Sequence, residues 1–187
     1  QNGPLTSRLQ HLKVGDELIV GRKPVGTLVI DDLKPGKRLF LFSTGTGLAP
    51  FMSIIQDPET YERFEHVVLV HGVRQVSELA YADFIEKELP AHEYLGELVN
   101  GKLLYYPTVT REPFRYQGQL IDLLETGKLC EDLGQPPLDP ATDRAMICGS
   151  PGMLTDLSKI LGAKGFKISP SQGEPGDYVI ERAFVER

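Results

Sequence analysis

No run of about 18 consecutive apolar residues occurs, so nothing in the chain reads as a membrane-spanning helix. Cysteine is scarce. Cys130 and Cys148 are the two in 187 residues, too few for a disulfide framework, and a reducing cytoplasm is the expected compartment. An excess of positive charge is missing as well: the net charge is −6, against the basic surface that binding nucleic acid requires. Metal-ligand spacing is absent too. The two cysteines stand alone, and His66 and His71 on one predicted strand point to opposite faces, so no metal is expected. No basic-then-apolar leader follows Gln1, and the chain reads as a processed or truncated piece.

What is present is ordinary for a soluble globular protein, with 41% hydrophobic and 25% charged residues and enough chain for one or two domains. The charge is unevenly placed. Residues 1–38 hold seven Lys/Arg against four Asp/Glu, leaving +3 there and −9 on the remainder. A basic leading end can steer an acidic partner; random scatter over a solvated surface explains the same counts.

The first third reads as strands, DELIVGR (16–22) and GTLVI (26–30), separated by the turn-prone KPV. After Lys37 the pattern changes. RLFLF (38–42), HVVLVHG (66–72), KLLYYPTV (102–109) and RAMICG (144–149) lack alternation, as strands covered on both faces do. Between them LAPFMSIIQ, SELAYADFIEKEL, QLIDLLETG and GMLTDLSKILGAKG read as helices. In the last, Met153, Leu154, Leu157, Ile160 and Leu161 recur at helical spacing and Gly165 supplies the stop. The proline-rich CEDLGQPPLDPATD (130–143) reads as an exposed loop. The predicted fold is α/β: a doubly wound parallel sheet in residues 35–187, preceded in residues 1–34 by the last strands of an antiparallel β-domain. No long apolar stripe is left over, so a monomer is expected.

In such sheets ligands sit outside the carboxyl ends of the strands. The first end is STGTG (43–47). Glycine allows close approach, the hydroxyls of Ser43, Thr44 and Thr46 suit phosphate oxygens, and Pro50 fits the first turn of the next helix. No Lys follows Gly47, so this is not a P-loop, and Pro50 breaks the G-x-G-x-x-G pattern. A tight turn without ligand is the alternative. The second end, HGVRQVSELAY, carries Arg74 with no acid beside it, as binding of a 2′-phosphate would need. At the third, TVTREPFRYQGQL, Arg111 and Arg115 would lie beside Arg74; solvated surface arginines remain the alternative. The fourth is ICGSPGMLTD, where Gly149 and Gly152 permit close approach and Pro151 opens a helix. Cys148 there is either a buried inert thiol or the wall of a ring-binding pocket. A serine hydrolase is disfavoured, because C-G-S-P-G around Ser150 is not G-x-S-x-G.

Taken together, S-T-G-T-G-x-A-P, H-G-V-R with E-L-A-Y downstream, V-T-R-E and C-G-S-P-G-M resemble the ferredoxin–NADP⁺ reductase family, in its bacterial ferredoxin/flavodoxin branch. GPLTSRL (3–9) resembles the family's motif for the FAD diphosphate, and ERAFVER the bacterial ending that extends past the flavin. The resemblance implies FAD and NADP(H) as cofactors and ferredoxin or flavodoxin as partner. A hydride would pass between nicotinamide and flavin, and single electrons to or from the carrier. It also implies roles. Gly3, Pro4, Leu5 and Thr6 would meet the FAD phosphates, and Ala183 and Phe184 would lie near the flavin. Gly45, Thr46 and Gly47 would cradle the NADP diphosphate, with Thr46 close to the flavin. Val73, Arg74, Thr110 and Arg111 would bind the 2′-phosphoadenosine end. Ser150, Pro151, Gly152 and Asp156 would line the ribose and nicotinamide side, with Cys148 at the ring.

Two departures stand out. Gln119 occupies a position where several members carry Arg, and Arg115 is a candidate replacement. The family's R-x-Y-S/T flavin motif is absent from the chain, so residues 1–34 would be only the last part of the FAD barrel. An isolated NADP-binding domain or sensor module without turnover is the alternative function.

Overall fold

Leu39 and Leu41 point to one side of the first strand, Phe40 and Phe42 to the other, and all four are buried. That period of two, with both faces apolar, builds two cores from one sheet. The computed structural model describes residues 5–22 and 26–182. A short helix α1 (Thr6–Leu9) precedes the sheet. The strands are β1 (Arg38–Thr44), β2 (His66–Val73), β3 (Leu103–Val109), β4 (Asp143–Gly149) and β5 (Tyr178–Arg182), in the order β3-β2-β1-β4-β5 with every pairing parallel. Between them run α2 (Ala49–Ile54), α3 (Pro58–Arg63), α4 (Gly96–Val99), α5 (Leu120–Glu125), α6 (Lys128–Asp132) and α7 (Pro151–Ala163). The first core gathers Leu39, Leu41, Leu69 and Met146 under α2 and α3; the second gathers Phe40, Phe42, Val70 and Ile147 under α5 and α7. Strand order reverses between β1 and β4, which opens a crevice at their carboxyl ends.

The opposite, amino ends of β1 and β4 are tied by a buried ion pair. Arg38 Nε and Nη2 donate to the two oxygens of Asp143 at 2.8 and 2.6 Å. The same guanidinium donates to the carbonyls of Pro136 and Pro137, at 2.8 and 3.0 Å. This corrects the expectation of an exposed loop over 130–143: α6 begins it, and Cys130 and Leu138 are buried. Proline content signalled irregular backbone but not the buried arginine that anchors it.

Other expectations also change. The runs 16–22 and 26–30 form no ladder among the described residues, because a strand needs a neighbour for its N–H and C=O groups. Leu18, Ile19 and Val20 in the first run are exposed, as are Leu12 and Val14 before it, whereas Leu28, Ile30 and Leu33 pack into the first core. The segment read as one helix from Ser77 is broken. Val76–Glu78 is a 3₁₀ turn, Tyr81 takes a positive φ of 62°, and Phe84–Glu88 is π-helical. Its first turn closes on itself through a capping box between Gln75 and Glu78. The edge strand β5 and the helices α3, α4 and α6 are too short for periodicity to reveal. No described helix is long and apolar enough to cross a membrane.

Candidate functional site

At the crevice, Gly45–Leu48 forms a 3₁₀ turn that leads straight into α2, with Pro50 in the helix's first turn. Gly45 has φ of 52°, is exposed, and a methyl group added there would meet nothing within 4 Å. Gly47 is different. A methyl group there would lie 2.1 Å from the Cys148 carbonyl oxygen, so this glycine lets the turn sit on the end of β4. Gly149 is likewise filled from within, 2.4 Å from Thr44 Oγ1 for the same added atom, whereas Gly152 faces open space. The two open glycines, Gly45 and Gly152, flank the crevice; the two closed ones hold it together.

The hydroxyls divide the same way. Ser43 Oγ donates to the Val70 carbonyl at 2.8 Å inside the sheet and is fully buried, which corrects its expected availability to a ligand. Thr44 Oγ1 accepts the Ser150 N–H at 3.2 Å and so bridges the ends of β1 and β4. Thr46 is exposed. Ser150 is the N-cap of α7, its Oγ accepting from the Met153 N–H at 3.4 Å, and Pro151 and Gly152 begin the helix, exposed. This 13-residue helix presents a polarised amino end beside Thr44 and the turn that follows it. Asp156, one turn on, is exposed and paired with Lys159 at 3.7 Å.

Cys148 lies under the turn, 3% exposed and packed in the first core. Burial pushes its thiol up to about 11, and the neighbouring Glu181 carboxylate adds to the effect, so the sulfur stays protonated. It can contribute shape and polarisability to a pocket wall, not a thiolate.

The ends of β2 and β3 are joined in turn. Thr110 donates its N–H to the Val73 carbonyl at 3.1 Å, and Arg111 its N–H to the Arg74 carbonyl at 2.9 Å. Both guanidiniums are exposed, and neither has an ion-pair partner among the described residues. An acid does stand beside them, contrary to the expectation for the second strand end. Glu78 accepts from the N–H groups of Arg74 and Gln75 at 2.8 and 3.1 Å. Those two donors, and then the Arg74 and Arg111 charges, hold its carboxyl below the usual range. The spacing from Gln75 to Glu78 is that of a capping box, the signal that could have exposed it.

Arg115 is turned elsewhere. Its guanidinium pairs with Glu86 and lies against the rings of Phe114 and Tyr116. It lines a cavity of about 590 Å³ between the 76–88 segment and β3. Gln119 is exposed at the N-cap of α5 and makes no side-chain cap bond. The sequence marks His71 only as lacking metal-ligand spacing and gives no sign of its role here. His71 is fully buried, with Nε2 3.2 Å from the Gly45 carbonyl and Nδ1 3.4 Å from the Tyr105 hydroxyl. Both ring nitrogens are thereby engaged, so this imidazole is not free to act as a base. Among the described residues no group of three or more His, Cys, Asp or Glu could hold a metal ion. Leu5 is exposed at the start of α1, where Thr6 follows; Gly3, Pro4, Ala183 and Phe184 lie outside the described residues.

Comparison with known proteins places the fold. Residues 41–159 match the family described as the oxidoreductase NAD-binding domain. The chain is 70% identical over its whole length to the ferredoxin–NADP reductase of Pseudomonas aeruginosa and 69% identical to that of Azotobacter vinelandii, spanning 72% of each. Among solved structures it superposes on a ferredoxin NADP⁺ reductase from Neisseria gonorrhoeae with bound FAD and NADP. The TM-score is 0.83 at 27% identity, over 98% of this chain and 71% of that one.

Proposed function

Because the chain belongs to the ferredoxin–NADP reductase family, we propose that it serves an FAD-dependent oxidoreductase exchanging hydride with NADP(H) and single electrons with ferredoxin or flavodoxin. The observation that carries the NADP(H) reading is the pair of exposed guanidiniums, Arg74 and Arg111, at adjacent strand exits with no carboxylate committed to either. Such a pair suits the 2′-phosphate, the group that distinguishes NADP from NAD. From there a dinucleotide would cross the switch point over Gly45 and Thr46 to the amino end of α7. The open space above Gly45 and Gly152 fits its diphosphate, which exposed N–H groups and the helix dipole would receive.

Bound flavin would supply the conversion between two-electron and one-electron chemistry. The chain's own part is orientation. Ser150, Pro151 and Gly152 would position the ribose and nicotinamide side, and protonated Cys148 would close the pocket from below without a competing nucleophile. In this reading residues 1–34 are the last part of the flavin barrel and residues 35–187 the NADP-binding unit. Support comes from Leu18, Ile19 and Val20, exposed apolar side chains with no ladder partner among the described residues. No observation favours a sensor module without turnover. The test is an absorption spectrum of the intact gene product followed by coenzyme titration. A yellow protein bleached by NADPH at far lower concentration than by NADH is expected; a colourless protein, or equal response to both coenzymes, would overturn the reading.

A further inference from the structure

The turn that faces the crevice is held from beneath by a buried imidazole. The Gly45 carbonyl can only accept, so the His71 nitrogen 3.2 Å from it, Nε2, must carry the proton. Burial lowers the imidazole's affinity for a second proton, although the Gly45 carbonyl opposes that shift. Nδ1 is then a bare acceptor, and the Tyr105 hydroxyl 3.4 Å away is the donor that satisfies it. The charged groups that bear on this hydroxyl are Glu86 and Arg115, which pair with each other. A single tautomer is thus set by Tyr105 on one side and read out by Gly45 on the other.

The consequence lies one atom further. In a trans peptide the C=O and the following N–H point in opposite directions. Holding the Gly45 carbonyl on His71 therefore aims the Thr46 N–H away from the imidazole. The first N–H groups of a helical turn have no partner within it, so this donor is left for a ligand. Gly45, free of a Cβ and at positive φ, gives that peptide no side-chain restraint, so the imidazole adds to what the turn's own i→i+3 bonds supply.

We propose that His71, oriented by Tyr105, is the positioning residue for coenzyme binding, fixing the Gly45–Thr46 peptide so that its N–H meets the diphosphate. The proposal rests on the NADP(H) reading of the site, and its test separates the two. Dissociation constants for NADP⁺, NAD⁺ and 2′-AMP, which lacks the diphosphate bridge, would be measured on the intact reductase by titration. His71→Leu should weaken NADP⁺ and NAD⁺ by a common factor of about ten, the loss of one oriented hydrogen bond, and leave 2′-AMP unchanged. His71→Gln, whose amide N–H can replace Nε2–H, should recover most of that loss. Tyr105→Phe should show a smaller loss of the same pattern. Arg74→Ala gives the opposite pattern, weakening NADP⁺ and 2′-AMP but not NAD⁺. An unchanged NADP⁺ affinity in folded His71→Leu, an equal loss for 2′-AMP, or no recovery with Gln would overturn the role of His71. Should wild type bind neither NADP⁺ nor 2′-AMP, the underlying reading falls and this proposal with it.

Discussion

Arg111 donates its backbone N–H to the Arg74 carbonyl at 2.9 Å, so two arginines 37 positions apart in sequence are held side by side by the ends of β2 and β3. Their main chains are fixed while their side chains stay exposed and uncommitted. In the proposed reading this is a preset clamp: little backbone ordering would remain to be done when the 2′-phosphate arrives.

The clamp should act on one coenzyme alone. Arg74→Ala and Arg111→Ala are each expected to weaken NADPH by about 1.5–3 kcal/mol, the range for a hydrogen bond to a charged group. NADH binding should hardly change. Because both side chains would share one phosphate, the double variant should lose less than the two single losses combined. Steady-state KM values for both coenzymes check this.

Glu78 sets a limit on the clamp. Its carboxylate is kept in place by the Arg74 and Gln75 N–H groups, yet it bears negative charge beside the proposed phosphate position. Glu78→Gln keeps an acceptor oxygen for those donors and removes the charge. NADPH should then bind a few-fold more tightly at low salt, and the gain should shrink as ionic strength rises.

The four glycines of the crevice should separate into two classes. Gly47→Ala drives a methyl group to 2.1 Å from the Cys148 carbonyl, and no flexible side chain can yield there. Loss of folded protein is expected, read as a lowered Tm. Gly152→Ala meets no protein atom and should fold with an unchanged Tm. Its defect should appear only as weaker coenzyme binding.

Cys148 yields a pH prediction. Its thiol is raised to about 11 in the fold against 9.0 for an ordinary cysteine. Between those values the unfolded chain has released a proton that the folded chain retains, so stability falls as pH rises through that window. Denaturant unfolding at pH 8 and pH 10.5 should show this loss, and Cys148→Ala should reduce it. Alkylation of the folded protein at pH 8 should leave Cys148 unmodified, since the thiol is both buried and protonated.

Much of the sheet and of its ligand-facing edge is legible in the sequence. Four of the five parallel strands announce themselves as unbroken apolar runs, because a strand covered on both faces needs no polar alternation. Arg74 and Arg111 sit just past such runs, so strand-end position alone put them on one edge. Cys148 and Ser150 follow from the same logic. β5 did not stand out, since Tyr178–Arg182 is five residues long and ends in charge. The helix read from Ser77 also failed, because the capping box that closes Val76–Glu78 and the positive φ of Tyr81 interrupt a pattern that periodicity alone continues.

The amino-acid sequence by itself determined the alternation of strand and helix, the polar glycine turn after β1 and the absence of a P-loop lysine, since these depend on local pattern. Only the tertiary structure decided what each residue is for. It committed Ser43 to the Val70 carbonyl and Thr44 to Ser150, closed Gly47 and Gly149 against their neighbours, left Gly45 and Gly152 open, and gave Arg115 to Glu86. The physical reason is that a donor, a charge or a bare Cα is spent by whichever partner comes closest. For these residues that partner lies across the sheet or on a facing loop, where sequence spacing carries no distance.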